Sequence, residues 1–293
     1  MSSQGLTILI PVFNEEKSID RTIISIDKIV NNLKFEYEVI FINDGSTDKT
    51  SDFLKNININ KNFKVINHFI NKGYGAALKT GVINSKFKLI AITDADETYP
   101  NDKILDFYEI MNSNELDMIV GARVGKDVKI PFIRKPPKWL LNKLANYLSG
   151  YNIPDLNSGL RIMKKSIIMK FINIIPDGFS FTTTITLAML TNNFEVQYEK
   201  ISYFHRGGKS KIRPIYDTLN FLQLIIRTTL YFNPLKIFLP ISLSLFLISL
   251  ILVFYRIFFN ESFSVLSVIF FIGSIQFLAI GMLADLIIKK LKL

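Results

Sequence analysis

The chain has no cysteine, two histidines and one tryptophan among its 293 residues. Without cysteine there is no disulfide and no thiolate metal site. Glycine is missing where a dinucleotide-binding fold needs it. The first apolar run, 6–13, leads into Asn14-Glu15-Glu16, with no Gly-rich turn. The stretch "NKGYGAALKTG" (71–81) carries Gly73 and Gly75 but has Leu78 at the third glycine position. There is no Walker A loop either, so a nicotinamide dehydrogenase and a P-loop kinase or ATPase are both set aside. The start, "MSSQGLTILIPVFNEE", has no basic opening and meets charge early, so it does not read as a signal peptide. No nucleic-acid-binding module is visible, and the formal net charge of +10 needs another partner.

What the chain does have is apolar residues, unevenly placed. The mean hydropathy is +0.27. Residues 237–255 and 262–284 form uncharged runs of 19 and 23 residues, separated by the six residues Arg256 to Glu261. As helices they reach roughly 28–35 Å, a bilayer core's thickness. They are expected to form a transmembrane hairpin; the alternative is a buried helical hairpin. Lys289, Lys290 and Lys292 follow the second run, and Arg227 and Lys236 precede the first. By the positive-inside rule an integral membrane protein results, with both termini and the large N-terminal domain cytoplasmic. Other basic residues are concentrated in 126–143 and 200–213, which suits an anionic membrane face and phosphate groups.

The first 125 residues alternate in type. Apolar, β-rich runs at 6–13, 37–44, 63–69, 88–96 and 116–123 are separated by helical patterns at 15–33, 46–54, 73–85 and 99–112. Strands apolar on both faces with helices between them predict an α/β domain, a mostly parallel Rossmann-like sheet covered on both sides. Ligands of such sheets bind beyond the carboxyl ends of the strands. Those ends carry Pro11 to Glu16, Asn43-Asp44-Gly45-Ser46, Asp94-Ala95-Asp96 and Gly121-Ala122-Arg123. Each has a plain reading as a turn or helix cap; their gathering on one edge points to a ligand site. Alternate residues of a strand share a side, so Asp94 and Asp96 are expected to face one ligand together. Mg²⁺ and Mn²⁺ commonly take one or two carboxylates plus substrate phosphates, so the pair fits a nucleoside diphosphate bound with a divalent cation. Downstream, "KWLLNKLANYL" (138–148) is amphipathic, suited to a membrane surface or to packing on the sheet, and 212–234 is a second such segment leading to the first span.

"PVFNEE", "INDGSTDKT", "NKGYGAALKTG", "DADETYP", "GAR", "DLNSGLR" and "GGKSK" occur in this order over about residues 5–215. In this set the chain resembles the family 2 glycosyltransferases of the GT-A fold, and among them the polyprenyl-phosphate sugar synthases, of which dolichyl-phosphate mannose synthase is the best-known type. The resemblance implies a cytoplasmic GT-A domain over 1–211, an amphipathic juxtamembrane helix over 212–234 and a transmembrane hairpin over 235–293. It implies that Pro11, Phe13, Glu15, Ile42 and Asp44 hold base and ribose and that Asp94 and Ala95 contact the nucleotide sugar. Asp96 would ligate Mg²⁺ or Mn²⁺ with the donor diphosphate. Arg123, Arg206 and Lys211 would meet phosphates of donor or acceptor, with Arg161 screening the acceptor phosphate. Two departures stand out. Thr98 occupies a metal-ligand position where the family often has Gln. His205-Arg206 stands where the family commonly has Arg-x-x-Gly-x-Ser-Lys.

The implied reaction is a metal-dependent, inverting transfer of a hexose from a UDP- or GDP-sugar to undecaprenyl or dolichyl phosphate. A phosphate monoester has a second pKa of about 6 and needs no general base. His68 then has a structural place, and Asp155 either orients Arg161 or the acceptor, or caps a helix. The alternatives are a relative acting on a lipid or polysaccharide hydroxyl, and a non-catalytic membrane scaffold. Sugar, nucleotide, lipid and any homo-oligomeric state are left open by the sequence.

Overall fold

Residues 5–12, GLTILIPV, carry no charge and form β1 (Gly5–Val12), buried along its whole length. The computed structural model describes residues 5–55, 57, 61–124, 135–178, 180–204, 214–259, 262 and 264–292. After β1 come α1 (Ile19–Val30), β2 (Glu36–Asn43), α2 (Thr50–Lys55), β3 (Phe63–Asn67), α3 (Tyr74–Asn84), β4 (Leu89–Ile92), α4 (Lys103–Ser113) and β5 (Met118–Ala122). Then follow α5 (Lys135–Ser149), β6 (Arg161–Lys164), α6 (Lys165–Phe171), α7 (Phe181–Thr191), β7 (Val196–Lys200), α8 (Pro214–Phe232), α9 (Leu235–Phe258) and α10 (Val265–Lys292).

The seven strands form one sheet in the order β3-β2-β1-β4-β6-β5-β7. Only β6 runs against its neighbours, β4 and β5; the other pairings are parallel. Strand alternation divides the core in two. Leu6, Ile8, Ile10 and Val12 of β1, with Val39 and Phe41 of β2, pack under α1 and α4 through Ile19, Ile23, Ile26, Ile104 and Phe107. Leu9, Ile40 and Ile42 face α3 and α7 through Ala77, Leu78, Val82, Phe181 and Ile185. Each fully buried Ile or Leu contributes about 1.5–3 kcal/mol, so two apolar faces per strand hold the layers together.

Some expectations require correction. Strand 88–96 ends at Ile92, because Thr93 to Glu97 leave the ladder for a turn in which Glu97 has φ +58°. Asp94 and Asp96 therefore do not share one side of a pleat; both lie on the turn that follows β4. The segment 138–148 lies in α5, whose Ala145 and Leu148 pack with Leu187 and Leu190 of α7 and Ile225 of α8. α5 thus docks on helices at these positions.

α9 and α10 form an antiparallel pair long and apolar enough to cross a membrane. Leu243, Ile251, Phe254 and Ile269 are all at least half exposed, so the pair is not a buried core hairpin. Its helices meet through Ser242 Oγ donating to the Ser274 carbonyl (2.9 Å) and Ser249 Oγ to that of Ser267 (2.8 Å). The pair is tied to the sheet domain at Lys236, whose Nζ donates to the Leu148 carbonyl (3.0 Å) at the end of α5.

Candidate active site

The carboxyl ends of β1 and β2 are stitched together first. Val12 and Asn43 stand level in the sheet. Beyond them the Asn14 amide donates to Ser46 Oγ (3.1 Å), the Thr47 amide to Asn14 Oδ1 (2.8 Å) and the Glu15 amide to Thr50 Oγ1 (2.9 Å). Pro11 and Ile42 are buried within the strands, while Phe13 and Glu15 are half-buried at the edge. Asp44 is buried, and its carboxylate accepts the Lys72 amide (3.0 Å), the Gly73 amide (2.8 Å) and His68 Nδ1 (2.6 Å). A carboxylate only accepts, so Nδ1 is the donor, and Nε2 meets the Thr80 hydroxyl at 3.0 Å. Asp44 and His68 thus fix the turn into α3. Gly73 sits there at φ +104°, where a Cβ would come within 2.5 Å of the Asp177 carbonyl oxygen. The glycines of "NKGYG" serve close backbone approach: the Gly75 and Ala76 amides donate to the carbonyls of Gly178 and Asp177, both at 3.0 Å.

The acidic turn lies next to this edge. Thr22 Oγ1 of α1 holds it by donating to the Ala95 carbonyl (2.9 Å). Asp94 accepts the Tyr74 hydroxyl (3.0 Å). Burial, and next the Asp94 charge, push the Tyr74 pKa well up, so this hydroxyl keeps its proton and remains a donor. Asp96 Oδ1 accepts the hydroxyl (2.6 Å) and the amide (3.2 Å) of Thr98. Thr98, expected as a metal ligand, is 1% exposed and spends its hydroxyl and its amide on Asp96. Glu97 turns away to Arg21 at 2.9 Å.

The basic residues divide. Arg123, just past β5, pairs bidentately with Asp155: Nε donates to Oδ2 (2.7 Å) and Nη2 to Oδ1 (3.0 Å). Burial alone raises the Asp155 pKa, but the hydrogen bonds and charge of Arg123 outweigh it and hold it below the usual carboxylate value. Arg123 lies over the Tyr203 ring, 5.2 Å from its centroid. Arg161 is the clear miss. It was expected at the acceptor phosphate and is wholly buried, donating to the Ser158 and Thr182 carbonyls and to Thr186 Oγ1. It starts β6 on the side covered by α7, and no sequence-local signal reveals that cover. Asp155 does not orient it; Asp155 holds Arg123. Arg206, Lys211 and His205 lie outside the described residues.

Sequence reading also passed over Tyr74, Tyr99 and Gly159. The Gly159 amide donates to the Tyr99 hydroxyl (2.7 Å), and a Cβ at Gly159 would come within 2.9 Å of Asp94 Oδ2. A hollow of about 490 Å³ between α2 and β3 is lined by Asn43, Ser51, Leu54, Phe63 and His68, among others. Neither Asp94, Asp96 nor Arg123 lines it, so it is not where these groups converge.

Among the described residues no three acidic or histidine side chains gather to hold an ion by themselves. Asp94 and Asp96 are hard oxygen donors on one turn. Their number suits a Mg²⁺ or Mn²⁺ ion that draws its remaining ligands from a substrate's phosphates and water.

Residues 7–172 match the model of glycosyl transferase family 2, and residues 233–289 match that of the GtrB C-terminal hairpin. Among the similar curated proteins is the dolichyl-phosphate hexose transferase of Haloferax volcanii, 25% identical over 71% of this chain and 87% of the relative. Another is the undecaprenyl-phosphate 4-deoxy-4-formamido-L-arabinose transferase of Pseudomonas fluorescens, 25% identical over 96% of this chain and 84% of that one. Among solved structures, glucosyl-3-phosphoglycerate synthase from Mycobacterium tuberculosis, in complex with Mn²⁺, UDP-glucose and phosphoglyceric acid, superposes with a TM-score of 0.58. That match has 17% identity and covers 77% of this chain and 79% of the other, and it establishes the GT-A fold. With the family model spanning more than half its length, the chain belongs to glycosyltransferase family 2 and is a glycosyltransferase carrying a C-terminal hairpin of two apolar helices.

Proposed function

We propose that this enzyme moves one hexose from a UDP- or GDP-sugar to a polyprenyl phosphate at the cytoplasmic membrane face, with inversion at the anomeric carbon and a requirement for Mg²⁺ or Mn²⁺. The carrying observation is that one loop, 155–161, touches both Asp94 on the acidic turn and the Arg123 cation. The cation-binding carboxylates for the donor and the arginine for the acceptor then have neighbouring places. The relatives whose names specify polyprenyl-phosphate acceptors support the lipid, and the Mn²⁺ and UDP-glucose of the structural neighbour support the donor and the ion.

In this reading residues 1–211 are the catalytic domain, 212–234 the juxtamembrane segment and 235–293 the membrane hairpin. Pro11, Phe13, Glu15, Ile42 and Asp44 form the nucleoside end. Asp96, with Asp94 beside it, would hold the ion, which when bound neutralises charge building on the departing diphosphate. Ala95 is fixed between them. Arg123, with Arg206 and Lys211, draws in the acceptor phosphate. An acceptor oxygen then bonds to C1 on the face opposite the diphosphate. The C1–O bond to the diphosphate breaks, and its electron pair leaves with the nucleotide. No proton changes hands, because a phosphate monoester is already largely dianionic near neutral pH. The protein's task is to hold two anions close together in a productive line.

Membranes containing the enzyme, given labelled UDP-glucose, UDP-N-acetylglucosamine and GDP-mannose in turn, test this directly. One donor should label an extractable lipid, and Asp96→Ala should abolish the label. An unlabelled lipid fraction with every donor, or full labelling by Asp96→Ala, would overturn the reading.

A further inference from the structure

Between α5 and β6 the chain places Asp155, Asn157 and Gly159 on one short path through the site. Asp155 is 6% exposed and grips Arg123 by its side chain twice and by its backbone amide (3.1 Å). The Asn157 amide donates to Asp155 Oδ1 (3.2 Å), and its side chain accepts the Thr183 hydroxyl of α7. Gly159 lies against the Asp94 carboxylate and Tyr99. From below, Arg161 clamps the Ser158 carbonyl with both Nε and Nη2. A guanidinium has five N–H donors in a rigid plane. Asp155 takes the Nε–Nη2 edge of Arg123, which fixes the plane and leaves the Nη1 group on the far side, where the oxygens of a second anion can accept its N–H bonds. Arg123 remains 21% exposed, against 6% for Asp155, so the open side belongs to the arginine.

We propose that Asp155 is a positioning residue: it aims the outer edge of Arg123 at the acceptor's phosphate, and the 155–161 loop sets the spacing between that phosphate and Asp94. Asp155 is assigned no proton transfer, since a phosphate monoester acceptor has no proton to give up near neutral pH. This inference rests on the lipid-phosphate reading above and names one more residue in it.

The test uses the full chain in detergent or nanodiscs, polyprenyl phosphate as acceptor, and whichever of the three nucleotide sugars the wild type accepts. Asp155→Asn should raise the KM for polyprenyl phosphate about tenfold or more, with donor KM nearly unchanged. Asp155→Glu should restore part of the loss. In a double-mutant cycle with Arg123→Lys, the double variant should be little worse than the poorer single one, because both break the same contact. The pH profile of kcat should keep its shape. Direct binding of farnesyl phosphate to the protein should weaken in parallel. Additive losses, a changed pH profile, or a lowered melting temperature with both KM values intact would overturn the role of Asp155. A wild type that glycosylates a lipid hydroxyl and binds no farnesyl phosphate would overturn the acceptor reading itself, and this proposal with it.

Discussion

Gly159 leaves the candidate carboxylates little room. A methyl there would meet Asp94 Oδ2 at 2.9 Å, Oδ1 at 3.1 Å and the Tyr99 ring at 3.1 Å. The nearest atoms are the end of a side chain, so the fold can give way while Asp94 cannot keep its place. Gly159→Ala is therefore expected to melt within a few degrees of wild type and to lose about tenfold or more in transfer rate. Wild-type activity in a well-folded variant would contradict that. Tyr74→Phe, which removes the hydroxyl donated to Asp94, should cost about 1 kcal/mol of this positioning, read as a several-fold loss in kcat/KM. Acid stability has a definite sign. The Asp155 pKa is depressed in the folded state, so its pairing stabilises above the unfolded value of about 3.9 and is lost as the pH falls through the lower folded value. A melting series from pH 6 down to pH 2 should show a drop in Tm at the acid end that Asp155→Asn lacks. At this scale the sequence was informative about residue types on the edge: Asp94, Asp96, Asp44 and Arg123 were singled out from their positions after apolar runs. It said nothing of cover. Arg161 is buried by Thr182 and Thr186, more than twenty residues away, and the turn into Thr98 was hidden in what reads as the end of a strand.

Elements were legible where their pattern was long. β3 lies inside its expected run, and β1 and β2 match theirs to within one residue, because continuous apolar residues serve both faces of a covered strand. β4 was overextended, since Asp94 and Asp96 mimic alternation. β6 and β7 were not anticipated: four and five residues long, each ends in a lysine, and β6 begins with a buried arginine. α7, FTTTITLAMLT, is buried on nearly every side and so has no polar face to advertise it. The hairpin helices were expected at 237–255 and 262–284 and extend over 235–258 and 265–292. Ser242 and Ser249 are seven residues apart, as are their acceptors Ser274 and Ser267, so the two bonds recur after two helical turns and set the antiparallel register. Ser249→Ala should lower hairpin stability by about 0.6 kcal/mol, measured as a shift in the detergent unfolding midpoint. An unchanged midpoint would leave the register to van der Waals packing.

Taken whole, the molecule pairs a sheet domain carrying an acidic edge with two helices whose outer faces are apolar. Lys236 links them by capping α5, so the membrane hairpin begins against the same helices that pack on the sheet. The proposed membrane orientation rests on the charges flanking the two apolar helices, and the cysteine-free sequence makes it simple to test. Ser262→Cys, between the spans, should react with an impermeant maleimide on intact cells. Ser113→Cys, on the sheet domain, should react only after permeabilisation. The reverse pattern would contradict a cytoplasmic catalytic domain. Family membership is readable from the ordered motifs, whereas the proposed acceptor role of Arg123 is a question for experiment. The most direct measurement offers purified enzyme its nucleotide sugar with either polyprenyl phosphate or the matching polyprenol. The account predicts transfer to the phosphate and none to the alcohol; transfer to the alcohol at a comparable rate would contradict it.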